Sequence, residues 1–299
     1  MAPGKDPLRL TIHVVVYVVL FLITATVAGW ALNGLLNSYL VSNVATFLFS
    51  AVVANWLALR IYANRRLIDA GLWLNRAAGE NLLAGLAGGA GAACLVLAPP
   101  LLFGMAHLAS TPADRPSAGT IVFVMFLLIA GATGEELLFR GYGFQVLMAG
   151  CGAYATILPV GVIFALLHAS NPGATWFSTA NTAGFGILFG YAYWRSRDLW
   201  LPIGLHFGWN FTLPLFGVNV SGLSMKVTGY EMSWSAGHLW SGGDYGPEAS
   251  LLTSAVLFLL FFYLRKAPVR RQASPLTEPP AEGVVCEASP GLRLQRPPS

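Results

Sequence analysis

The sequence predicts an all-α fold, a polytopic membrane bundle of about eight transmembrane helices with a disordered C-terminal tail. Only 10% of the 299 residues are charged and 56% are hydrophobic, whereas a soluble domain has roughly 25% charged residues. The chain also contains eight apolar segments, most of them close to the ~20 residues that a helix needs to cross a bilayer. This composition argues against a soluble globular protein and gives no indication of a nucleic-acid partner.

The apolar segments, taken in order, differ in length and composition. The first contains no charge between Leu10 and Leu36, which is too long for a secretory signal peptide. The third is rich in Gly and Ala from Ala84 to Ala93, which favours close packing on a neighbouring helix. The fifth and eighth are short for a full crossing. The predicted spans are Leu10–Leu32, Val44–Tyr62, Leu82–Met105, Thr120–Met148, Ala155–Ala169, Ser178–Trp194, Leu199–Phe216 and Leu251–Leu264.

The basic residues predict the orientation of these spans. With the N-terminus in the cytoplasm, most Lys and Arg residues fall on the cytoplasmic side, and only Arg115 and Lys226 fall outside. This asymmetry follows the positive-inside rule and predicts a multi-pass protein with both termini in the cytoplasm. The residues placed on the cytoplasmic side are Lys5, Arg9, Arg60, Arg65, Arg66, Arg76, Arg195, Arg197, Arg265, Lys266, Arg270 and Arg271.

Ionisable side chains inside the apolar segments are candidates for function, because a charge in the bilayer core costs at least a few kcal/mol. Glu136 and Arg140 are four residues apart, so they share a helix face and neutralise each other. Glu135 points about 100° away from its neighbour and needs partners from other helices. An unpaired carboxylate in such a setting suits a general base.

Two further pairs have the same spacing. His206 and Asn210 offer two convergent hydrogen-bond donors, which suit the stabilisation of an oxyanion in a dry pocket. Phe164 and His168 form the other pair, in which we assign packing to the phenylalanine and chemistry to the histidine. These residues and Glu135 lie at similar depths in their spans, so we expect them to meet.

The ordered set Glu-Glu-x-x-x-Arg, Phe-x-x-x-His and His-x-x-x-Asn resembles the CAAX protease and bacteriocin-processing (CPBP) family of intramembrane proteases, which includes the type II CAAX prenyl endopeptidases. In this sequence the motifs are Glu135–Arg140, Phe164–His168 and His206–Asn210. The resemblance extends over residues 120–216, roughly a third of the chain. It implies an eight-helix bundle whose cavity holds an active site inside the bilayer.

The resemblance also implies a role for each matching residue. Glu135 is the general base, assisted by His168, and His206 with Asn210 forms the oxyanion hole. Supporting roles fall to Glu136, Arg140 and Phe164. The implied activity is an endopeptidase that uses activated water on membrane-associated substrates, lipidated or bacteriocin-like.

A cofactor is not expected from the sequence. The family was long classed as metalloproteases, but the chain lacks an H-E-x-x-H motif and gives no independent argument for zinc. If zinc were used, its ligands would be Glu135, His168 and His206. The expected partners are a peptide or membrane-anchored protein substrate and the lipid bilayer. The resemblance implies a bacterial inner membrane as the location.

The predicted organisation has five parts. They are N-terminal helices with a basic linker (1–119), a catalytic core (120–216), an outer-face loop (217–250), the last transmembrane helix (251–266) and a disordered cytoplasmic tail (267–299). The tail assignment depends on its proline content. Cys94, Cys151 and Cys286 are widely spaced and predict no disulfide framework.

Two other functions remain open. A catalytically silent membrane scaffold could keep the same motifs. A proton-coupled transporter also uses buried carboxylates and histidines, but it commonly has paired repeats and helices broken at mid-membrane, which this sequence does not display.

Overall fold

The computed structural model describes residues 6–111 and 116–277. The structure is mostly helical, at 74%, as the composition predicts. The helices are α1 (Pro7–Leu35), α2 (Tyr39–Ala63), α3 (Arg76–Leu102), α4 (Ala118–Arg140), α5 (Tyr142–Cys151), α6 (Ala153–His168), α7 (Trp176–Ser196), α8 (Trp200–Leu215), α9 (His238–Ser241) and α10 (Leu251–Lys266). The strands are β1 (Ala106–Ser110) and β2 (Tyr230–Trp234).

Every predicted span coincides with a helix, but eight crossings are not confirmed. Among the described residues, four helical stretches are long and apolar enough to cross a membrane. The helix α6 is apolar but has 16 residues, about 24 Å at 1.5 Å per residue. These apolar helices indicate an integral membrane protein. The four stretches are Pro7–Leu35, Tyr39–Ala63, Arg76–Leu102 and Ala118–Cys151.

The predicted fourth span is divided at Gly141 into α4 and α5. Asn55 of α2 causes this division, because its side chain bonds to the backbone on both sides of the break. Its Nδ2 donates to the Leu137 carbonyl at 2.9 Å, and its Oδ1 accepts from the Tyr142 amide at 2.7 Å. A Cβ at Gly141 would collide with Asn55 Oδ1. The end of α4 is therefore set by a neighbouring helix.

The close packing predicted for Ala84–Ala93 is confirmed, and α8 is the partner. A Cβ added at Gly85 or Gly89 of α3 would collide with the backbone of α8. On the other side of the contact, a Cβ at Gly204 would lie 2.5 Å from the Leu82 carbonyl oxygen. Glycines on both helices thus allow the backbones to touch, and this contact places α8 beside the core.

The loop 217–250 is more structured than the sequence suggested. Its strand β2 pairs antiparallel with β1, with Ala106 opposite Trp234 and Ser110 opposite Tyr230. Each strand has only five residues, which is too short for an alternation of polar and apolar residues to stand out in the sequence. The loop is therefore attached to the α3–α4 connection at one end of the bundle.

The start of the C-terminal tail is folded, in contrast to the expected disorder. The amide of Gln272 donates to the Ser196 carbonyl at 2.8 Å, and Asn81 exchanges two hydrogen bonds with the backbone of Arg270, both at 2.8 Å. Ser274 is buried. The Asn81 side chain thus satisfies both the amide and the carbonyl group of Arg270, as a neighbouring β-strand would. Residues 278–299 lie outside the described residues.

The cysteine expectation holds where the structure describes it. Cys94 and Cys151 are free and exposed. Cys286 lies outside the described residues, as do Lys5 and Arg115 of the orientation argument.

Candidate active site

The end of α4 carries the two neighbouring glutamates in different surroundings. The Glu136 side chain is fully buried, whereas 26% of the Glu135 side chain is exposed. Tyr17 of α1 donates to the carbonyl oxygens of Leu137 and Leu138 at 3.1 and 3.0 Å, which holds this last turn in place. Successive helical residues point about 100° apart, and this difference separates the two carboxylates as predicted.

Arg140 and Glu136 form the predicted ion pair inside the bundle. Nη1 of Arg140 lies 3.3 Å from both carboxylate oxygens of Glu136, and Nη2 donates to the Gly186 carbonyl at 2.6 Å. The guanidinium also lies 5.1 Å from the ring centre of Phe164 and 5.5 Å from that of Phe189. A buried pair of this kind is tolerated only with such additional contacts.

Glu135 lies between two histidines from other helices. Its Oε2 is 3.7 Å from Nε2 of His168 on α6 and 3.8 Å from Nε2 of His206 on α8. Both distances exceed a direct hydrogen bond. Within the part of the chain that the structure describes, this oxygen is buried without a hydrogen-bond partner. The three side chains therefore surround a point without bonding to one another.

The outer ring nitrogens of both histidines are held by other groups. Nδ1 of His168 is 2.8 Å from the Phe164 carbonyl oxygen, so this nitrogen carries a proton. Nδ1 of His206 is 3.0 Å from Glu136 Oε1, and Phe189 stacks on the ring with a centroid distance of 4.8 Å. Both Nε2 atoms are thereby turned towards Glu135.

A small pocket is lined by both histidines and by Asn210. It leaves about 20 Å³ in which the centre of a water molecule can lie, which is room for a single water. Aromatic side chains form most of the apolar wall. The lining residues are Phe164, His168, Thr182, Phe185, Phe189, His206, Trp209, Asn210, Ser221 and Glu248. Four of the predicted site residues, Phe164, His168, His206 and Asn210, therefore border one pocket, and Glu135 lies beside its two histidines.

Glu248 is the pocket residue that sequence reasoning missed. It is buried, and it accepts hydrogen bonds from Trp209 and Ser221. Burial raises the pKa of the Glu248 carboxyl, while the hydrogen bonds from Ser221 and Trp209 oppose this shift. The only available signal was an acidic residue next to an apolar helix in a loop that carries no motif.

The sequence names Glu135, His168 and His206 as the ligands of a metal if one is used, and this conditional assignment stays a prediction. Over residues 6–111 and 116–277, no group of three or more His, Cys, Asp or Glu is arranged to hold a metal ion. Glu135, His168 and His206 nevertheless lie around one point, with Glu135 Oε2 3.7 and 3.8 Å from the two Nε2 atoms.

The comparison with protein families agrees with the three motifs. Residues 116–212 match the family model described as Type II CAAX prenyl endopeptidase Rce1-like. This segment is about a third of the chain and contains the seven predicted site residues. No curated protein and no solved structure matches the chain. Residues 116–212 are thus similar to the type II CAAX prenyl endopeptidases, which supports the resemblance to the CPBP family that the three motifs indicate.

Proposed function

We propose that the protein is an intramembrane endopeptidase that hydrolyses peptide bonds of membrane-associated substrates. One observation carries the proposal: Glu135 Oε2 lies 3.7 and 3.8 Å from two imidazole nitrogens and has no direct partner among the described residues. A water molecule placed there would reach a carboxylate and an imidazole together. This is the arrangement that general-base activation of water requires.

In the first step, Glu135 and His168 take a proton from the water. The Nδ1 atom of His168 donates to the Phe164 carbonyl, so the neutral ring presents an unprotonated Nε2 to the water. The hydroxide that forms then attacks the carbonyl carbon of the substrate. No covalent enzyme intermediate is formed, because the activated water, and no side chain of the protein, attacks the carbonyl carbon.

In the second step, His206 and Asn210 stabilise the oxyanion. Because Nδ1 of His206 donates to Glu136, Nε2 carries a hydrogen only in the protonated imidazole. Charge balance favours that form, since Glu135 and Glu136 supply two negative charges and Arg140 supplies one positive charge. Fixed donors in a dry pocket then lower the energy of the developing negative charge.

In the last step, the proton removed from water is transferred to the leaving nitrogen. Protonated Glu135 or His168 donates it as the carbon–nitrogen bond breaks, and the carboxylate is regenerated. The products are a new C-terminal carboxylate and a new N-terminal amine.

Two probe peptides test the proposal on purified protein in lipid nanodiscs. One is a farnesylated peptide that ends in a CAAX sequence, and the other is an unmodified peptide with an apolar segment. Cleavage of either is followed by mass spectrometry. Glu135→Gln should lower turnover by about a hundredfold or more, because the amide cannot accept the proton.

The matched control is Glu231→Gln, which makes the same change at an exposed position in β2. It should retain full turnover. Equal turnover in Glu135→Gln and the wild type would contradict the role of Glu135 as general base, whereas no turnover in the wild type would leave the scaffold function. A stoichiometric metal found by elemental analysis, with inactivation by a chelator, would overturn the metal-free route.

The substrate is best identified in the native membrane. We propose to compare the protein termini of cells that express the wild type with those of cells that express Glu135→Gln. New termini that depend on Glu135 would name both the substrate and the cleaved bond.

A further inference from the structure

The outer side of the active-site pocket is closed by the loop 217–250, which lies outside the matched family segment. Ser221 and Glu248 line the pocket together with His206 and Asn210 of α8. Ser221 belongs to a tight turn in which Val220 pairs with Leu223. The loop is thus part of the site as well as a connection.

Glu248 joins this turn to α8. Its Oε1 accepts from the indole Nε1 of Trp209 at 3.0 Å. Its Oε2 accepts from the backbone amide and from the hydroxyl of Ser221, the latter at 2.9 Å. Every partner is a donor, so the carboxylate is engaged by protein groups on both oxygens. It is suited to holding two elements together.

The backbone of Glu248 is itself fixed to α7. Nδ2 of Asn181 donates to the carbonyl oxygens of Glu248 and Ser250 at 2.8 and 3.0 Å. The side chain therefore reaches the pocket from a rigid base. Such an anchor can set the position of whatever its carboxylate binds.

The two residues that bond to the Glu248 carboxylate, Trp209 and Ser221, are themselves fixed by their surroundings. Trp209 lies in the sequence between His206 and Asn210, and its ring packs on Phe185 at 4.7 Å. Ser221 has a φ of 49°, a left-handed conformation that a non-glycine residue keeps only when its surroundings impose it. The Asn171 side chain adds a hydrogen bond to the Ser221 carbonyl at 3.1 Å.

We propose that Glu248 is a positioning residue of the active site, which clamps the turn 220–223 to Trp209 and thereby fixes the oxyanion donors His206 and Asn210. The inference rests on the proposed peptidase function. It assigns a role to the outer loop that the three motifs do not contain. Small displacements of reacting groups are costly, since an error of about 1 Å can lower the rate a hundredfold.

The test separates kcat from KM for Glu248→Gln, assayed with the probe peptides. The amide keeps the shape of the side chain but places an N–H₂ group against either Trp209 or Ser221, both of which donate. We expect kcat to fall by roughly ten- to a hundredfold, with KM changed by less than about threefold. Glu231→Gln, in the same loop, is the control.

A second variant keeps the test decisive if Glu248→Gln folds poorly. Trp209→Phe retains an aromatic ring against Phe185 but loses the indole N–H. It should lower kcat in the same way, and the double variant should be no worse than the poorer single variant, because both changes break one link.

The outcomes are distinguishable from failure of the peptidase proposal. If Glu135→Gln is inactive while Glu248→Gln and Trp209→Phe keep wild-type kcat and KM, the inference about Glu248 is overturned and the peptidase stands. Effects of the two variants that simply add would also overturn it. No turnover in the wild type would remove the proposed function itself.

Discussion

Arg140 balances the charge of the buried half of the site. The Arg140 side chain is fully buried, forms an ion pair with Glu136 and donates a hydrogen bond to the Gly186 carbonyl oxygen. Glu136 also accepts a hydrogen bond from Nδ1 of His206. Removing the arginine leaves Glu136 without its strongest counter-charge in a place that water does not reach. The pair therefore supports the site through His206 as well as the fold.

We expect Arg140→Leu to lower the free energy of unfolding by about 3–5 kcal/mol, the usual cost of leaving one member of a buried ion pair alone. Thermal unfolding in detergent measures this loss. The double variant Glu136→Gln/Arg140→Leu should be more stable than Arg140→Leu, because it contains no uncompensated charge. A double variant that is equally unstable would contradict this explanation.

Asp198 links the α7–α8 connection to the tail. Its Oδ2 accepts from Asn81 at 2.6 Å and from Gln272, and Oδ1 accepts from the Leu201 amide. Burial raises the pKa of the Asp198 carboxyl, and these hydrogen bonds act in the opposite direction. The folded protein consequently holds this proton more tightly than the unfolded chain does.

The raised pKa predicts a pH-dependent stability. A carboxyl whose pKa is higher in the folded state stabilises that state most at low pH, and this contribution is lost as the pH rises through the raised pKa. We expect the wild type to lose stability relative to Asp198→Asn from about pH 4 upwards. Unfolding midpoints across this range measure the difference. Asp244→Asn, at an exposed position, should run parallel to the wild type.

At the scale of elements, the contact between α3 and α8 sets the position of the oxyanion donors. Gly85 and Gly89 let the backbone of α8 approach, and His206 and Asn210 project from the same helix. Any side chain at the contact would push α8 away from α4 and α6. The site therefore depends on residues without functional groups.

Gly89→Ala should collide with the backbone at Leu205 and destabilise the fold by about 1–3 kcal/mol, as overpacking does. Turnover of the probe peptides should fall as well, because α8 moves. Gly91→Ala is the matched control, since a Cβ there meets no atom within 4 Å. Equal stability of the two variants would show that the close contact is unimportant.

At the scale of the molecule, the connections gather at two ends. At one end lie the α2–α3 connection (residues 64–75), the α7–α8 connection and the start of the tail. The amide of Leu199 donates a hydrogen bond to the Gly71 carbonyl oxygen and so links the first two. The other joins β1, β2 and the rest of the outer loop. We propose that the first end, which holds the basic residues, faces the cytoplasm.

Cysteine labelling tests this orientation in a variant whose three native cysteines are replaced by serine. Arg65→Cys and Glu231→Cys introduce single thiols at exposed positions on opposite ends. In intact cells, a maleimide that does not cross the membrane should label Glu231→Cys alone, and permeabilisation should expose Arg65→Cys. The reverse pattern would invert the proposed topology.

Much of the helical layout could be predicted because it depends on local pattern. Eight apolar runs located α1–α8 and α10, with α4 and α5 in one run, and the spacing of Glu136 and Arg140 predicted their ion pair. The break at Gly141 could not be predicted, because Asn55 produces it from another helix. Eight full crossings are not confirmed, because three of the predicted spans form helices of 16 residues and apolar composition does not fix helix length.

The sequence by itself determined the membrane-helix class and the three motifs, because periodicity and residue spacing act within one helix. Only the tertiary structure decided that Glu135 meets His168 and His206, and that Glu248 lines a pocket with both histidines. It also decided that the start of the tail folds against Asn81. These contacts join residues far apart in the chain, and they depend on how closely helix backbones approach one another.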